Sequence, residues 1–124
     1  MIKLFEQNKK LASFTTIIVA IAIFLISSIP GQGTSYGTSH TSVIYHFFAF
    51  FFLQLFLLIT TTKSNTKHFS SSIIISFLYA CLDELHQYFI PGRFCSWSDI
   101  FTDLGGILLA TFMYYKHKTK LNFK

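Results

Sequence analysis

The sequence has little charge, few cysteines and none of the short motifs that mark common classes of enzyme. Charged residues make up 12% of the 124 residues, about half the share found in ordinary soluble domains. The two cysteines, Cys81 and Cys95, provide neither a disulfide framework nor a paired metal-ligand spacing. HExxH, CxxC and GxSxG patterns and glycine-rich phosphate loops are absent. The low charge excludes an ordinary soluble domain, and without these motifs no active site can be identified from a short pattern.

A basic surface for nucleic acid is missing as well. The ten basic residues comprise one arginine and nine lysines, and the lysines lie in the two terminal segments and in one short central segment. A nucleic-acid site needs basic residues gathered on one face of the fold. The formal net charge of +5 therefore does not predict nucleic acid as a partner.

Apolar side chains dominate what is present. They account for 52% of the residues, and 16 residues are phenylalanine; the mean hydropathy is +0.51. A domain of this size has too high a ratio of surface to volume to hide so much apolar area from water. The composition predicts a protein whose main partner is a lipid bilayer.

The apolar residues fall into four stretches, which we interpret as transmembrane helices at residues 11–29, 43–61, 69–89 and 98–115. The first is a run of 19 uncharged residues, long enough at 1.5 Å per residue to cross a hydrocarbon core of about 30 Å. Pro30 and Gly31 open a polar loop that extends to about Ser42, and Pro91 and Gly92 end the third stretch. Ser96, three residues before Asp99, resembles a capping box for the last helix. The predicted fold is a single all-α membrane domain.

The lysines predict the orientation. With four spans, all nine lysines lie on one side of the membrane and Arg93 lies on the other. Because cytoplasmic segments carry an excess of basic residues, we expect a multi-pass protein of the cell membrane with both termini in the cytoplasm.

Acidic residues are concentrated in one segment, CLDELHQYFIPGRFCSWSDIFTDLGG, which holds four of the five acidic residues in the chain. Asp83 and Gln87 are four residues apart and share one helical face, and Asp99 and Asp103 do the same on the next helix. The two helices form a hairpin, so both faces can converge. Carboxylates within a membrane are costly unless they meet a partner. The sequence therefore predicts a polar site in the outer half of the bundle.

Four carboxylates and the single guanidinium of Arg93 leave this site with a formal charge of −3. Such a charge requires protonation or a cation. The candidates are a protonated histidine (His40, His46 or His86), a metal ion or a cationic ligand. No motif fixes a metal, so the cofactor stays open at this stage. In the structural alternative, Arg93 only ties the hairpin together, and Glu84, about 100° around the helix from Asp83, caps a helix or reaches the interface.

The segment DELHQYFIPGRFCSWSDIFTDLGG resembles the signature of the VanZ-like membrane proteins, in which Asp-Glu-x-x-Gln is followed by Pro-Gly-Arg, an Asp that opens the last span, and a Gly. His46 with Phe50 and the sequence SSIPG are similar to further motifs of that family. The polar residues that the resemblance implies are His46, Asp83, Glu84, Gln87, Arg93 and Asp99. This chain departs from the family pattern at Ser42 and Val43, where an Asp-Lys pair is frequent. The resemblance implies a link to the cell envelope, since the family's named member confers low-level resistance to the glycopeptide teicoplanin.

Two classes of function fit these residues. An enzyme would use Asp83, Glu84 and Asp99 as acids and bases on an envelope lipid or a peptidoglycan precursor, with His46, Gln87, Arg93 and Asp103 binding the substrate. A binding protein would hold or shield the same ligand without chemistry. A proton-coupled transporter ranks last, because the first two spans are nearly apolar. The oligomeric state is open.

Overall fold

The chain folds into helices. A computed structural model describes residues 2–31, 40–62 and 68–122, and these ranges contain no strand. The helices are α1 (Ile2–Gln7), α2 (Lys9–Ser27), α3 (His40–Thr61), α4 (Phe69–Tyr88) and α5 (Trp97–Asn122). The predicted all-α fold is confirmed.

Two of the helices have the length and apolarity expected of a membrane span. Among the described residues, α2 and α3 meet both conditions, whereas α4 and α5 do not. Asp83 and Glu84 in α4, and Asp99 and Asp103 in α5, lower the apolarity of those helices. The four predicted spans thus correspond to four long helices, of which two are span-like by composition, and a membrane crossing by all four stays a prediction.

The helix boundaries differ from the predicted ones at several points. The first long helix ends at Ser27 rather than at residue 29, and the second begins at His40 rather than at residue 43. His40 is therefore helical and exposed, not part of the loop. The last helix continues to Asn122, beyond the predicted end at residue 115. Polar residues extend a helix past its apolar part because backbone hydrogen bonding does not depend on hydropathy. The central parts of both predicted connections, residues 32–39 and 63–67, lie outside the described residues.

A short N-terminal helix, α1, was not predicted. Asn8 separates it from α2, and the Asn8 side chain accepts a hydrogen bond from the Leu11 amide at 3.1 Å. This bond satisfies one of the amides left free at the start of a helix.

The closest helix contact joins α3 and α5. A Cβ on Gly106 would run into the backbone of Phe47 and Phe51, so only glycine allows these two helices their present separation. Ala110, one turn further along, is fully buried. The close approach at Gly106 places the start of α5 against the start of α3.

The surface of the bundle is apolar. α2 exposes Phe14, Ile17, Ile18, Ile21 and Leu25; α4 exposes Ile74, Ile75, Leu78, Leu82 and Leu85; α5 exposes Phe101, Leu108, Leu109, Phe112 and Met113. Soluble monomers rarely show apolar patches of this extent. Hydrocarbon is the solvent that such a surface suits.

Two loop motifs that lie far apart in the sequence touch each other. The Gly31 amide donates to the Pro91 carbonyl at 3.1 Å. Gly92 has a φ of +73°, and a Cβ on either glycine would collide with the backbone carbonyl of the other. Glycine is needed at both places, at Gly92 also because L side chains avoid this backbone conformation. The contact fixes the α4–α5 turn against the end of α2.

Candidate functional site

Six polar side chains from α3, α4 and α5 meet at one end of the bundle, which we call the acid end. They are His46, Asp83, Glu84, Gln87, Asp99 and Asp103, each at most 4% exposed. The up-and-down order of the helices brings the end of α4 to the beginnings of α3 and α5. The predicted convergence of the two acidic faces is therefore present, but the cluster is closed rather than a pocket open to solvent.

His46 lies at the centre of the cluster. Its Nδ1 atom is 3.0 Å from Asp103 Oδ1, and its Nε2 atom is 3.9 Å from Asp99 Oδ2. An ionised carboxylate only accepts hydrogen bonds, so Nδ1 carries the proton in the pair with Asp103. In the neutral ring, the lone pair of Nε2 then points away from Asp103 toward Asp99.

Glu84 is 1% exposed and lies inside the cluster, where the functional interpretation of the sequence places it, rather than at the interface; its catalytic role stays a prediction. Its Oε2 atom accepts a hydrogen bond from the Ser96 amide at 2.7 Å. In the predicted capping box, the Asp99 side chain would accept a hydrogen bond from the Ser96 amide. Glu84 of α4 accepts that bond instead. Two adjacent residues of α4 both face inward because α4 packs against α3 and α5 on different sides.

Asp83 and Gln87 form the pair that their spacing predicts. Gln87 Nε2 donates to Asp83 Oδ2 at 2.9 Å, and both side chains are buried. This bond runs along one face of α4 and satisfies one oxygen of Asp83.

Several buried atoms of the acid end have no hydrogen-bond partner. In the part of the chain that the structure describes, these atoms are His46 Nε2, Glu84 Oε1, Asp99 Oδ1 and Asp103 Oδ2. The described residues form no ion pair from a lysine or an arginine to these carboxylates. Leaving a buried polar atom unpaired costs about 1–3 kcal/mol, and more when the group is charged. The cluster as it stands is electrostatically incomplete.

Arg93 lies beside the cluster but binds elsewhere. Its guanidinium donates to the carbonyls of Ile29 at 3.1 Å and Ile26 at 2.8 Å. Ile26 lies in the last turn of α2, and its carbonyl also accepts from the Ile29 amide. This is the geometry of a clamp on the end of α2. A role for Arg93 in holding an anionic ligand stays a prediction.

The other two candidate histidines lie outside the cluster. His86 Nε2 is 2.9 Å from Ser28 Oγ, and its ring stacks on Phe24 with centroids 4.6 Å apart. His40 is exposed at the start of α3. Of the three histidines that the sequence offers as cations, only His46 contacts the carboxylates.

Sequence reasoning missed two neighbours of the acid end. Tyr45 precedes His46, and its buried hydroxyl has no partner among the described residues. Tyr45 also lines an apolar cavity of about 250 Å³ between α2 and α3, together with Ile23, Ala49 and Phe52. Burial, followed by the charge of Glu84, raises the pKa of the Cys95 thiol in the loop before α5. Neither residue forms a recognisable spacing with the acids, so no signal in the sequence points to them.

Comparison with known proteins gives one result. The sequence profile of the VanZ/LLP1 family matches residues 4–118. No curated protein matches the chain, and no solved structure matches it. The match covers α2, α3 and α4 in full and most of α1 and α5, and it confirms the resemblance that the sequence motifs indicate.

Proposed function

Because this chain belongs to the VanZ/LLP1 family, we propose that it is a multi-pass protein of the cell membrane that binds or chemically alters a component of the cell envelope. The observation that carries the proposal is the buried acid end, where three carboxylates and a histidine keep unpartnered atoms. Ionisable groups inside a membrane bundle mark functional sites by default, because their burial is costly.

We assign all four long helices, α2 to α5, to the membrane, with both termini in the cytoplasm. The carboxylates lower the apolarity of α4 and α5, but they are buried inside the bundle, while the outward side chains of both helices are apolar. Such helices cross a bilayer once their neighbours cover the polar faces. The described lysines at the start of α2 and the end of α5 (Lys9, Lys10, Lys116, Lys118 and Lys120) lie at the end opposite to the acid end, so the positive-inside rule supports an outward-facing acid end.

A lipid-linked molecule is the ligand class that the surroundings favour. The apolar cavity between α2 and α3 reaches Tyr45, which is adjacent to His46 in the chain. Its volume of about 250 Å³ and its apolar lining suit part of an acyl or prenyl chain, because apolar surface favours an apolar ligand. A headgroup would then lie toward the acid end. Lipid-linked precursors of the cell wall have this chemistry.

In the enzymatic form of the proposal, Glu84 or Asp99 acts as general base and the His46–Asp103 pair as general acid. A carboxylate that orients a histidine through Nδ1 is a recurring arrangement for proton transfer. In the binding form, the same groups hold a polar headgroup and transform nothing. Both forms require the cluster to open, since its residues are at most 4% exposed.

The test compares cells that produce the protein with cells that lack it. We expect higher tolerance to teicoplanin, together with altered lipid-linked precursors or muropeptides, in the producing cells. Asp99→Asn abolishes both effects at equal membrane levels, whereas the matched control Glu6→Gln, a carboxylate at the other end of the bundle, retains them. Equal tolerance and equal envelope profiles with and without the protein would contradict the proposal.

A second comparison separates the two forms. An enzyme leaves a chemically changed headgroup or muropeptide, and Glu84→Gln prevents the change while the ligand still copurifies with the protein. A binding protein leaves the profile unchanged, and Glu84→Gln weakens copurification of the ligand.

A further inference from the structure

We infer that His46, Glu84 and Asp99 form a binding site for one divalent transition-metal ion. The three residues come from three helices, α3, α4 and α5, so the ion would join the helices at the acid end. This inference does not depend on the envelope role proposed above, because it follows from the donor atoms alone.

The first support is convergence. Each of the three residues offers one ligand atom, and these atoms all lie within 4.8 Å of one another. Two ligands about 2.0–2.1 Å from a tetrahedral zinc ion are about 3.3 Å apart. His46 Nε2 and Asp99 Oδ2 are 3.9 Å apart. A contraction of a few tenths of an ångström, within the reach of side-chain rotation, brings this pair to bonding geometry.

The second support is independent of the first and concerns which atoms are free. His46 Nε2, Glu84 Oε1 and Asp99 Oδ1 are buried without a hydrogen-bond partner among the described residues. The remaining polar atoms of His46 and Glu84 are held in place, Nδ1 by Asp103 and Oε2 by the Ser96 amide. Histidine ligands of metals nearly always donate their other N–H to a carboxylate or a carbonyl. Asp103 occupies that supporting position here.

Charge is the third support. The carboxylates of Glu84 and Asp99 together neutralise a divalent cation, and an ion with such partners avoids most of the cost of burying separate charges in a low dielectric. Among the described residues, no lysine or arginine forms an ion pair with these carboxylates and so replaces the cation.

The donor set narrows the class of ion. One imidazole nitrogen and two carboxylate oxygens suit Zn²⁺, Mn²⁺ or Fe²⁺, whereas Ca²⁺ takes six to eight oxygen ligands and Mg²⁺ keeps several waters. Three protein ligands leave at least one position for a water molecule or for a substrate group, as catalytic sites do.

The experiment uses the full chain, purified without a histidine tag in detergent and without chelator. Mass spectrometry of the metal content should give about one Zn²⁺, Mn²⁺ or Fe²⁺ per chain. After treatment with EDTA, Zn²⁺ added alone should rebind with the same stoichiometry and raise the thermal unfolding temperature of the wild-type protein. This last measurement needs no variant, so it stands even if a substitution prevents folding.

The variants then identify the ligands. We expect His46→Gln, Glu84→Gln and Asp99→Asn each to lose stoichiometric Zn²⁺ binding, and Asp103→Asn to weaken it about 10- to 100-fold, as loss of a supporting carboxylate does. Glu6→Gln, the matched control, should bind Zn²⁺ as the wild type does. Wild-type protein without bound metal and without a response to Zn²⁺, Mn²⁺ or Fe²⁺ would overturn the inference, as would unchanged binding in His46→Gln. Either result leaves the envelope role standing, and loss of the envelope phenotype leaves a measured metal site standing.

Discussion

Carboxylates at the two ends of the bundle differ in how many partners they have. At the end opposite to the acid end, which we call the lysine end, Glu6 of α1 meets three donors of α5. Tyr114 donates at 3.0 Å, Lys118 Nζ lies at 2.7 Å and His117 Nε2 at 3.4 Å. At the acid end, three carboxylates share one histidine and keep unpartnered oxygens. Both oxygens of Glu6 have partners, whereas the carboxylates of the acid end require a proton, an ion or a ligand.

The middle of the bundle shows that loose packing does not cause this difference between the two ends. Gln54 is fully buried in α3, yet its amide donates to Thr111 at 2.9 Å and its carbonyl accepts from Ser76 at 2.7 Å. Three helices thus give both the nitrogen and the oxygen of this buried amide a partner. The same three helices build the acid end, where the unpartnered atoms are the exception and therefore indicate function.

The largest expected effect comes from separating α3 and α5, because their contact holds His46 against Asp103. Gly106→Ala places a Cβ against the backbone of Phe47, and we expect a loss of about 3 kcal/mol in the free energy of unfolding, at the upper end for overpacking. Chemical denaturation of the two proteins in detergent measures this difference in the free energy of unfolding.

Gly105→Ala is the matched control. A Cβ at Gly105 meets only the Phe47 ring at 3.6 Å, an ordinary contact, and alanine favours a helix by about 1 kcal/mol over glycine. We expect this variant to be as stable as the wild type or more stable. Equal losses in both variants would contradict the assignment of the close contact to Gly106.

The next prediction is that replacing a carboxylate has opposite consequences at the two ends: at the lysine end it lowers stability and spares function, and at the acid end it spares stability and abolishes function. Glu6→Gln removes a satisfied carboxylate and should lower stability by up to about 1 kcal/mol, since the group is partly screened by solvent, while function persists. Asp99→Asn removes a buried carboxylate with an unpartnered oxygen. In EDTA-treated protein it should leave the thermal unfolding temperature unchanged or raise it, while function is lost. A marked destabilisation of Asp99→Asn without metal would show that the acid end is structurally complete by itself.

A smaller effect is the pH dependence of the lysine end. Burial alone raises the pKa of Glu6, but hydrogen bonds with Lys118, Tyr114 and His117 outweigh burial, and the pKa lies below its ordinary value of 4.5. A carboxyl group with a lowered folded-state pKa adds stability that is complete above pH 4.5 and is lost as the pH falls through the folded-state value. Thermal unfolding measured from neutral pH to below pH 4.5 should show this loss in the wild type and a reduced loss in Glu6→Gln. Parallel curves for the two proteins would contradict it.

The smallest effect concerns the Cys95 thiol. Burial and the charge of Glu84 raise its pKa above the ordinary value of 9.0, so little thiolate forms at neutral pH. Glu84→Gln removes the charge and should raise the alkylation rate of Cys95 a few-fold, because the thiolate is the reactive species. Cys81→Ser in both proteins ensures that only Cys95 is alkylated. An unchanged alkylation rate in Glu84→Gln would show that Glu84 does not raise the pKa of Cys95.

Regular spacing explains which parts of the site were predictable. The four-residue intervals between Asp83 and Gln87 and between Asp99 and Asp103 predict shared helical faces, and both pairs face the interior. Spacing left two positions open for Glu84, in the site or at the interface, because its direction depends on which helices lie beside α4, and spacing within α4 does not contain that information. Arg93 was assigned to an anion, whereas its nearest acceptors are carbonyls of α2, more than sixty residues earlier in the chain.

By itself, the sequence determined the helices, their apolar outer faces and the placement of the acids near one turn, because hydropathy and helical period act over a few residues. Only the tertiary structure decided which polar atoms find partners. Hydrogen bonds between helices depend on the relative positions of side chains from separate segments, and those positions give Glu6 and Gln54 partners while leaving His46, Glu84 and Asp99 with unpartnered atoms.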